Sequence, residues 1–247
     1  MHQLTKWVCL CALLCLASHV ALAQSAARNM DRERRIWQEL EAVSPASLPG
    51  FKAATEAFDR EDYAEAARLY QQVMKKAPGF DVVYRRLAAS LISQGHAAEG
   101  MPLLEKAIEM KRSPENLSSL ARYLAYPENE KEGSPVEKER ALRLAIEAQA
   151  RNTENDPSYA VLVAELSLDL NHAQSFRDAT KVLVSKHSDL MLTHYYSAVV
   201  ATMDEDWVKA EDEIKQAESL GLDPRVVRQL LDSGVHNRAM MWRYLRY

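Results

Sequence analysis

The sequence predicts an all-α protein assembled from a series of short helix pairs, and three observations carry that prediction. Among 247 residues only 7 are Gly and 9 are Pro, while Ala, Leu, Glu, Arg and Gln recur throughout, so helix formers outnumber turn formers. Small residues return at a near-constant interval, at Ala54, Ala88, Ala121, Ala164 and Ala198, in steps of 34, 33, 43 and 34. Prolines at Pro78, Pro114, Pro157 and Pro224 punctuate the unit ends, because proline has no N–H to donate and disfavours helix at the residue before it. A composition of 47% hydrophobic and 27% charged residues fits packed domains rather than a disordered chain.

Taken in order, residues 1–23 read as a secretory signal peptide. Met1 to Lys6 is weakly basic, Trp7 to Leu16 is an apolar run too short to span a bilayer comfortably, and Ala21-Leu22-Ala23 is a small-x-small cleavage pattern. Cleavage after Ala23 and a periplasmic location are expected. A retained anchor is the alternative, since no charge falls between Lys6 and Arg28. Cys9, Cys11 and Cys15 all lie in this segment. The processed chain would therefore have no disulfide, no thiolate nucleophile and no cysteine metal ligand. Residues 24–46 hold an amphipathic helix from Asp31 to Val43, with Ile36, Trp37, Leu40 and Val43 as its stripe. A linker, Ser-Pro-x-Ser-x-Pro-Gly from Ser44 to Gly50, follows.

Residues 47–224 contain about five units. Each small residue above has a second small partner, at Ala66, Gly100, Ala141, Ala179 and Ala210. The separation is 12 in the first, second and fifth units, against 20 in the third and 15 in the fourth, which carry insertions. Small residues at matching points let two helix axes approach, where larger side chains would force them apart. The second helices continue with apolar or small residues four and seven positions on, as in Tyr70 and Val73, Leu104 and Ala107, Ala145 and Ala148, and Ile214 and Ala217. The fourth unit keeps Leu183 but has Lys186 at the later position. Tyr63, Phe176 and Trp207 each sit three residues before the second small position, where a ring can cover the turn between helices.

These residues resemble the tetratricopeptide repeat family, stacks of helix-turn-helix units of about 34 residues. The best matches are Ala54, Asp62-Tyr63-Ala64-Glu65-Ala66, Tyr70 and Pro78; then Leu87-Ala88, Gly95, Gly100, Leu104 and Ala107; and Ala198, Asp206-Trp207, Ala210, Ile214, Ala217 and Pro224. The resemblance implies a right-handed superhelical stack whose first helices line a concave groove that holds a peptide or protein segment. Projected onto this chain, the groove positions are Phe51, Thr55 and Phe58; Arg85, Ala89 and Ile92; Ser118, Arg122 and Tyr126; Glu165; and Tyr195 and Val199. Thr55, Ala89, Arg122, Glu165 and Val199 stand where some relatives place the asparagine of a carboxylate clamp, so that clamp is not expected. The stretch Pro127 to Pro135 reads as a polar loop inside the third unit.

Residues 225–247 are expected as capping helices. Val226, Val227, Leu230 and Leu231 form a stripe that Gly234 stops, and Met240, Met241, Trp242, Tyr244 and Leu245 then lie among Arg238, Arg243 and Arg246. A stack needs its last apolar face covered. The alternative is a basic aromatic segment that docks on a partner or touches lipid.

Catalytic patterns are scarce. There is no HExxH and no Gly-x-Ser-x-Gly. Gly95 and Gly100 have phosphate-loop spacing, but Met101-Pro102 stands where Lys-Ser/Thr is needed. His187, Asp189 and His194 are the one cluster that suggests a metal, and they lack a third nitrogen ligand nearby in sequence. A formal net charge of -4 argues against a nucleic-acid surface. The sequence therefore points to a non-catalytic interaction scaffold without a cofactor, binding a protein or peptide partner in the cell envelope. The alternatives are an assembly subunit of an envelope complex, docked through the C-terminal helix, and an enzyme whose site follows no recognised pattern.

Overall fold

The structure, a computed structural model, describes residues 29–127 and 133–245, with side chains through Trp242. The expected signal segment at 1–23 and most of the expected polar loop, at 128–132, lie outside the described residues. Among the described residues there is no β-strand, and no helix is long and apolar enough to cross a membrane. The chain divides into two compact units, one ending at Asn152 and the other beginning at Thr153. That division falls within the long 43-residue step between Ala121 and Ala164.

The N-terminal unit begins with α1 (Met30–Val43). Asn29 caps it, its side-chain oxygen accepting from the amides of Asp31 (3.1 Å) and Arg32 (3.0 Å), and Asp31 and Glu33 place negative charge at the positive end of the helix. The expected linker is mostly helical. Pro45–Ser47 forms a 3-10 turn, and α2 (Leu48–Asp59) starts with Pro49 in its first turn, where a missing N–H costs nothing. Three pairs follow from there. They are α2 with α3 (Tyr63–Lys76), α4 (Asp81–Ile92) with α5 (Ala97–Met110), and α6 (Pro114–Ala125) with α7 (Pro135–Ala150). Ser134 and Glu137 form a reciprocal capping box at the start of α7.

The second unit has α8 (Ser158–Asp169) with α9 (Ala173–Lys186), and α10 (Met191–Met203) with α11 (Trp207–Ser219). Then come α12 (Pro224–Leu230), a π turn at Leu231–Val235 and α13 (His236–Leu245). Gly234 takes φ 111° in that turn, a left-handed value that breaks the helix between α12 and α13.

The ten small residues of the sequence pattern are all buried, Ala54, Ala66, Ala88, Ala121, Ala141, Ala164 and Ala210 completely, with Gly100, Ala179 and Ala198 nearly so. Gly100 marks a very close approach: a Cβ there would fall 2.6 Å from Ile92 Cγ1 and 2.9 Å from the Ala88 carbonyl oxygen. Helices α4 and α5 therefore touch through bare backbone at this point.

The turns inside four of the pairs, all but α6 with α7, share one geometry. Glu61, Gly95, Asn171 and Glu205 have φ of 62°, 83°, 58° and 61°. The residue after each donates to a carbonyl five positions back, Asp62 to Ala57 (2.9 Å), His96 to Leu91 (2.9 Å), His172 to Ser167 (2.7 Å) and Asp206 to Ala201 (2.9 Å). This is the Schellman closure of a helix end. Asp62 and Asp206 then cap the next helix, accepting from the amides of Glu65 (3.1 Å) and Lys209 (3.2 Å). The aromatic that follows packs over the turn. Tyr63 meets Phe58 edge-on at 5.2 Å, and Trp207 is buried.

Candidate functional site

In the N-terminal unit, the contacts that seat α1 run to the first helices of the pairs and to their lead-in residues. Its apolar stripe, Ile36 and Leu40, is buried in one core with Phe51, Ala54, Val83 and Leu87. Lys52 Nζ of α2 lies 4.2 Å over the Trp37 ring. Arg32 approaches Glu115 of the third pair (3.7 Å), and Glu39 approaches Lys111 at the end of α5 (3.6 Å).

At the centre of this face sits a buried charge pair. Arg86 of α4 donates to both oxygens of Glu33, at 3.0 and 2.5 Å. Arg86 also donates to Thr55 Oγ1 (2.7 Å), which lies 2.9 Å from the Tyr70 hydroxyl. The guanidinium stacks 4.8 Å over the Phe51 ring. Burial alone would lower the Arg86 pKa, but Tyr70 and Glu33 outweigh it and hold the group above its ordinary value. Such a pair adds little net stability, yet removing one partner costs on the order of 3–5 kcal/mol by stranding a buried charge.

A second buried polar joint ties the second pair to the third. The Asn116 amide nitrogen reaches Asp81 Oδ2 (2.7 Å) and the carbonyls of Lys111 (2.8 Å) and Ala107 (3.1 Å). Its oxygen accepts from Arg85 Nε at 3.0 Å.

These contacts revise the expected groove. Phe51 is fully buried, edge-on to Tyr70 (5.5 Å) and Phe80 (5.9 Å). Thr55 is buried within the Arg86 network, and Ile92 packs where Gly100 approaches. In the second unit, Glu165, Tyr195 and Val199 are likewise buried, and burial pushes the Tyr195 phenol well above its usual range. These six line no open surface. Phe58, Arg85, Ala89, Ser118 and Tyr126 are half-buried, and Arg122 is exposed. Arg85 is engaged with Asn116, and Ser118 Oγ donates to the Glu115 carbonyl (3.2 Å).

The sequence reading missed Glu33, Arg86 and Asn116. Glu33 had a signal: it stands three and seven residues before Ile36 and Leu40, a carboxylate on an otherwise apolar stripe. Arg86 and Asn116 had none, because their partners lie 53 and 35 residues away for Glu33 and Asp81.

In the second unit, His194 Nδ1 lies 2.7 Å from Glu213 Oε2, while the His187 carbonyl accepts from Thr193 Oγ1 (2.6 Å). Among the described residues no three His, Cys, Asp or Glu side chains converge on a metal position. Helix α13 docks on α11 through Arg238, 4.3 Å over the Trp207 ring, and through His236 Nδ1, 2.6 Å from the buried Glu211 carboxylate. Met240, Met241 and Trp242 on the same helix stay exposed.

Successive two-helix units closed by left-handed turns define a helical-repeat protein. Residues 57–123 match the family model described as tetratricopeptide repeat, and the helix pairs share the fold of solved tetratricopeptide repeat structures. Solved structures agree in fold. YrrB, described as a TPR protein with an unusual peptide-binding site, is 13% identical with a TM-score of 0.56, over 78% of this chain and 95% of its own. PilW, described as a type IV pilus biogenesis factor, is 14% identical with a TM-score of 0.62, over 80% and 90%. Yeast Tom70 is 15% identical with a TM-score of 0.58, over 94% of this chain and 47% of its own. No curated protein matches the sequence.

Proposed function

We propose that this protein is a non-catalytic interaction scaffold of the cell envelope, which holds a segment of a partner protein against the first-helix face of its N-terminal unit. The observation that carries this reading is the seat of α1. That face already accommodates an amphipathic helix through a buried stripe and a charge pair, the elements of helix-in-groove recognition. Export is supported by the apolar run and the Ala21-Leu22-Ala23 pattern at the start of the sequence. A second reading, assembly into an envelope complex through α13, is favoured by the exposed Met240, Met241 and Trp242.

One experiment covers both. The full chain is used under mild crosslinking to capture partners from envelope extract, beside Arg122→Glu and Trp242→Glu variants. A discrete partner weakened by Arg122→Glu supports the first-helix face, and one weakened by Trp242→Glu supports α13. Recovery of no partner, together with turnover of a small substrate by the purified protein, overturns the scaffold reading.

A further inference from the structure

The face that would receive a partner is occupied by part of the same chain. Helix α1 presents Glu33, Ile36, Trp37 and Leu40 at spacings of three, four and seven residues, and Glu33, Ile36 and Leu40 are buried. Two features distinguish it from the helices of the pairs. It is tied to the second pair by a buried charge pair, where the paired helices meet through small residues and close backbone. Its outer ties, Arg32 to Glu115 of the third pair and Glu39 to Lys111 at the end of α5, are part-exposed or exposed ion pairs that contribute little. A single short turn at Pro45–Ser47 joins it to α2.

We propose that α1 is a tethered competitor in a receptor groove, and that the groove's partner is an amphipathic helix carrying a carboxylate three and seven residues ahead of two aliphatic side chains. The proposal rests on the scaffold reading and adds to it the chemistry of the partner and its regulation. Arg86 is the selecting group. It sits buried beneath the helix, so an incoming helix must bring an acceptor of negative charge, and a Lys or Arg at that place is rejected. Tethering gives α1 an effective concentration on the order of millimolar, so a free helix of equal affinity competes poorly until α1 is weakened.

The test uses the full chain and a fluorescein-labelled peptide of residues 29–43, read by fluorescence anisotropy. Wild type should bind the peptide weakly. Glu33→Ala in the chain releases the tethered helix while leaving the groove, and should tighten peptide binding at least tenfold. Peptide carrying Glu33→Ala, or a chain carrying both Glu33→Ala and Arg86→Ala, should lose that gain. No gain for a folded Glu33→Ala chain overturns the proposal. Hydrogen exchange on unmodified protein provides an independent measurement. Amides of α1 should exchange together and faster than those of α2 to α5, and equal protection would mean a fixed structural helix. Dimerisation of the Glu33→Ala chain by helix exchange would place a second copy in the groove and overturn the assigned partner. Equal capture of an envelope partner by wild type and Glu33→Ala chains, with no peptide binding, would overturn helix exchange and leave the scaffold reading standing.

Discussion

Gly100→Ala tests how tightly α4 and α5 are apposed. Gly100 is an ordinary helical residue in α5, so on propensity alone Ala should stabilise by about 0.8–1 kcal/mol. The new Cβ, however, would lie 2.6 Å from Ile92 Cγ1 and 2.9 Å from the Ala88 carbonyl oxygen. Neither can step aside cheaply, since one belongs to a β-branched side chain that is only 1% exposed and the other to helix backbone. Overpacking of this kind costs about 1–3 kcal/mol, so the balance is a net destabilisation of about 1 kcal/mol. Urea unfolding followed by far-ultraviolet circular dichroism measures it, with Ile92→Ala completing a double-mutant cycle. Ile92→Ala alone should cost about 2–5 kcal/mol, and in the Gly100→Ala background about 1 kcal/mol less, because the clash is relieved. A Gly100→Ala chain more stable than wild type by the full propensity difference would refute the close approach.

Two further substitutions probe other parts of the scaffold. Asn116→Asp sets a second carboxylate beside Asp81 in a buried site, and should destabilise by about 2–4 kcal/mol at neutral pH. Repulsion and burial raise the folded-state pKa of that pair above its unfolded value, so the lost stability should return as pH falls. A variant whose stability does not change with pH in this way would show that the two side chains are not in contact. Glu61→Gly relieves a left-handed residue, worth about 1–2 kcal/mol, against about 0.5–1 kcal/mol of added unfolded-state entropy. The melting temperature should rise by about 1–4 °C, and a fall would mean that Glu61 makes an interaction outweighing its strain.

The pairing of helices could be read from the sequence because small residues report axis-to-axis distance locally and repeat with the unit. The Asp-aromatic pairs at Asp62-Tyr63 and Asp206-Trp207 were equally visible, since a cap and a turn cover act within a few residues. The surface was harder to read. A helical position such as Phe51 or Tyr195 can be assigned to a face by period, but its exposure depends on what else covers that face. In the first pairs the cover is α1, whose own period predicted a helix but not its seat. Glu165 and Val199 fail for a related reason, because α8 and α10 are buried on most sides and carry no polar face to mark an outside. The expected linker at Ser44 to Gly50 was misjudged because Pro45 and Pro49 open helical turns rather than interrupt them.

Helix α1 has one more consequence, for how this repeat array can evolve. Where cohesion is only neighbour to neighbour, whole pairs can be gained or lost and the remainder closes up. Here one docked helix is gauged against three successive units at once, through Trp37 on the first, Glu33 on the second and Arg32 on the third, with Glu39 at the joint between the last two. Deleting the second pair would bring a different side chain under Glu33 and strand a buried charge. In its docked position α1 therefore favours an N-terminal array of three units.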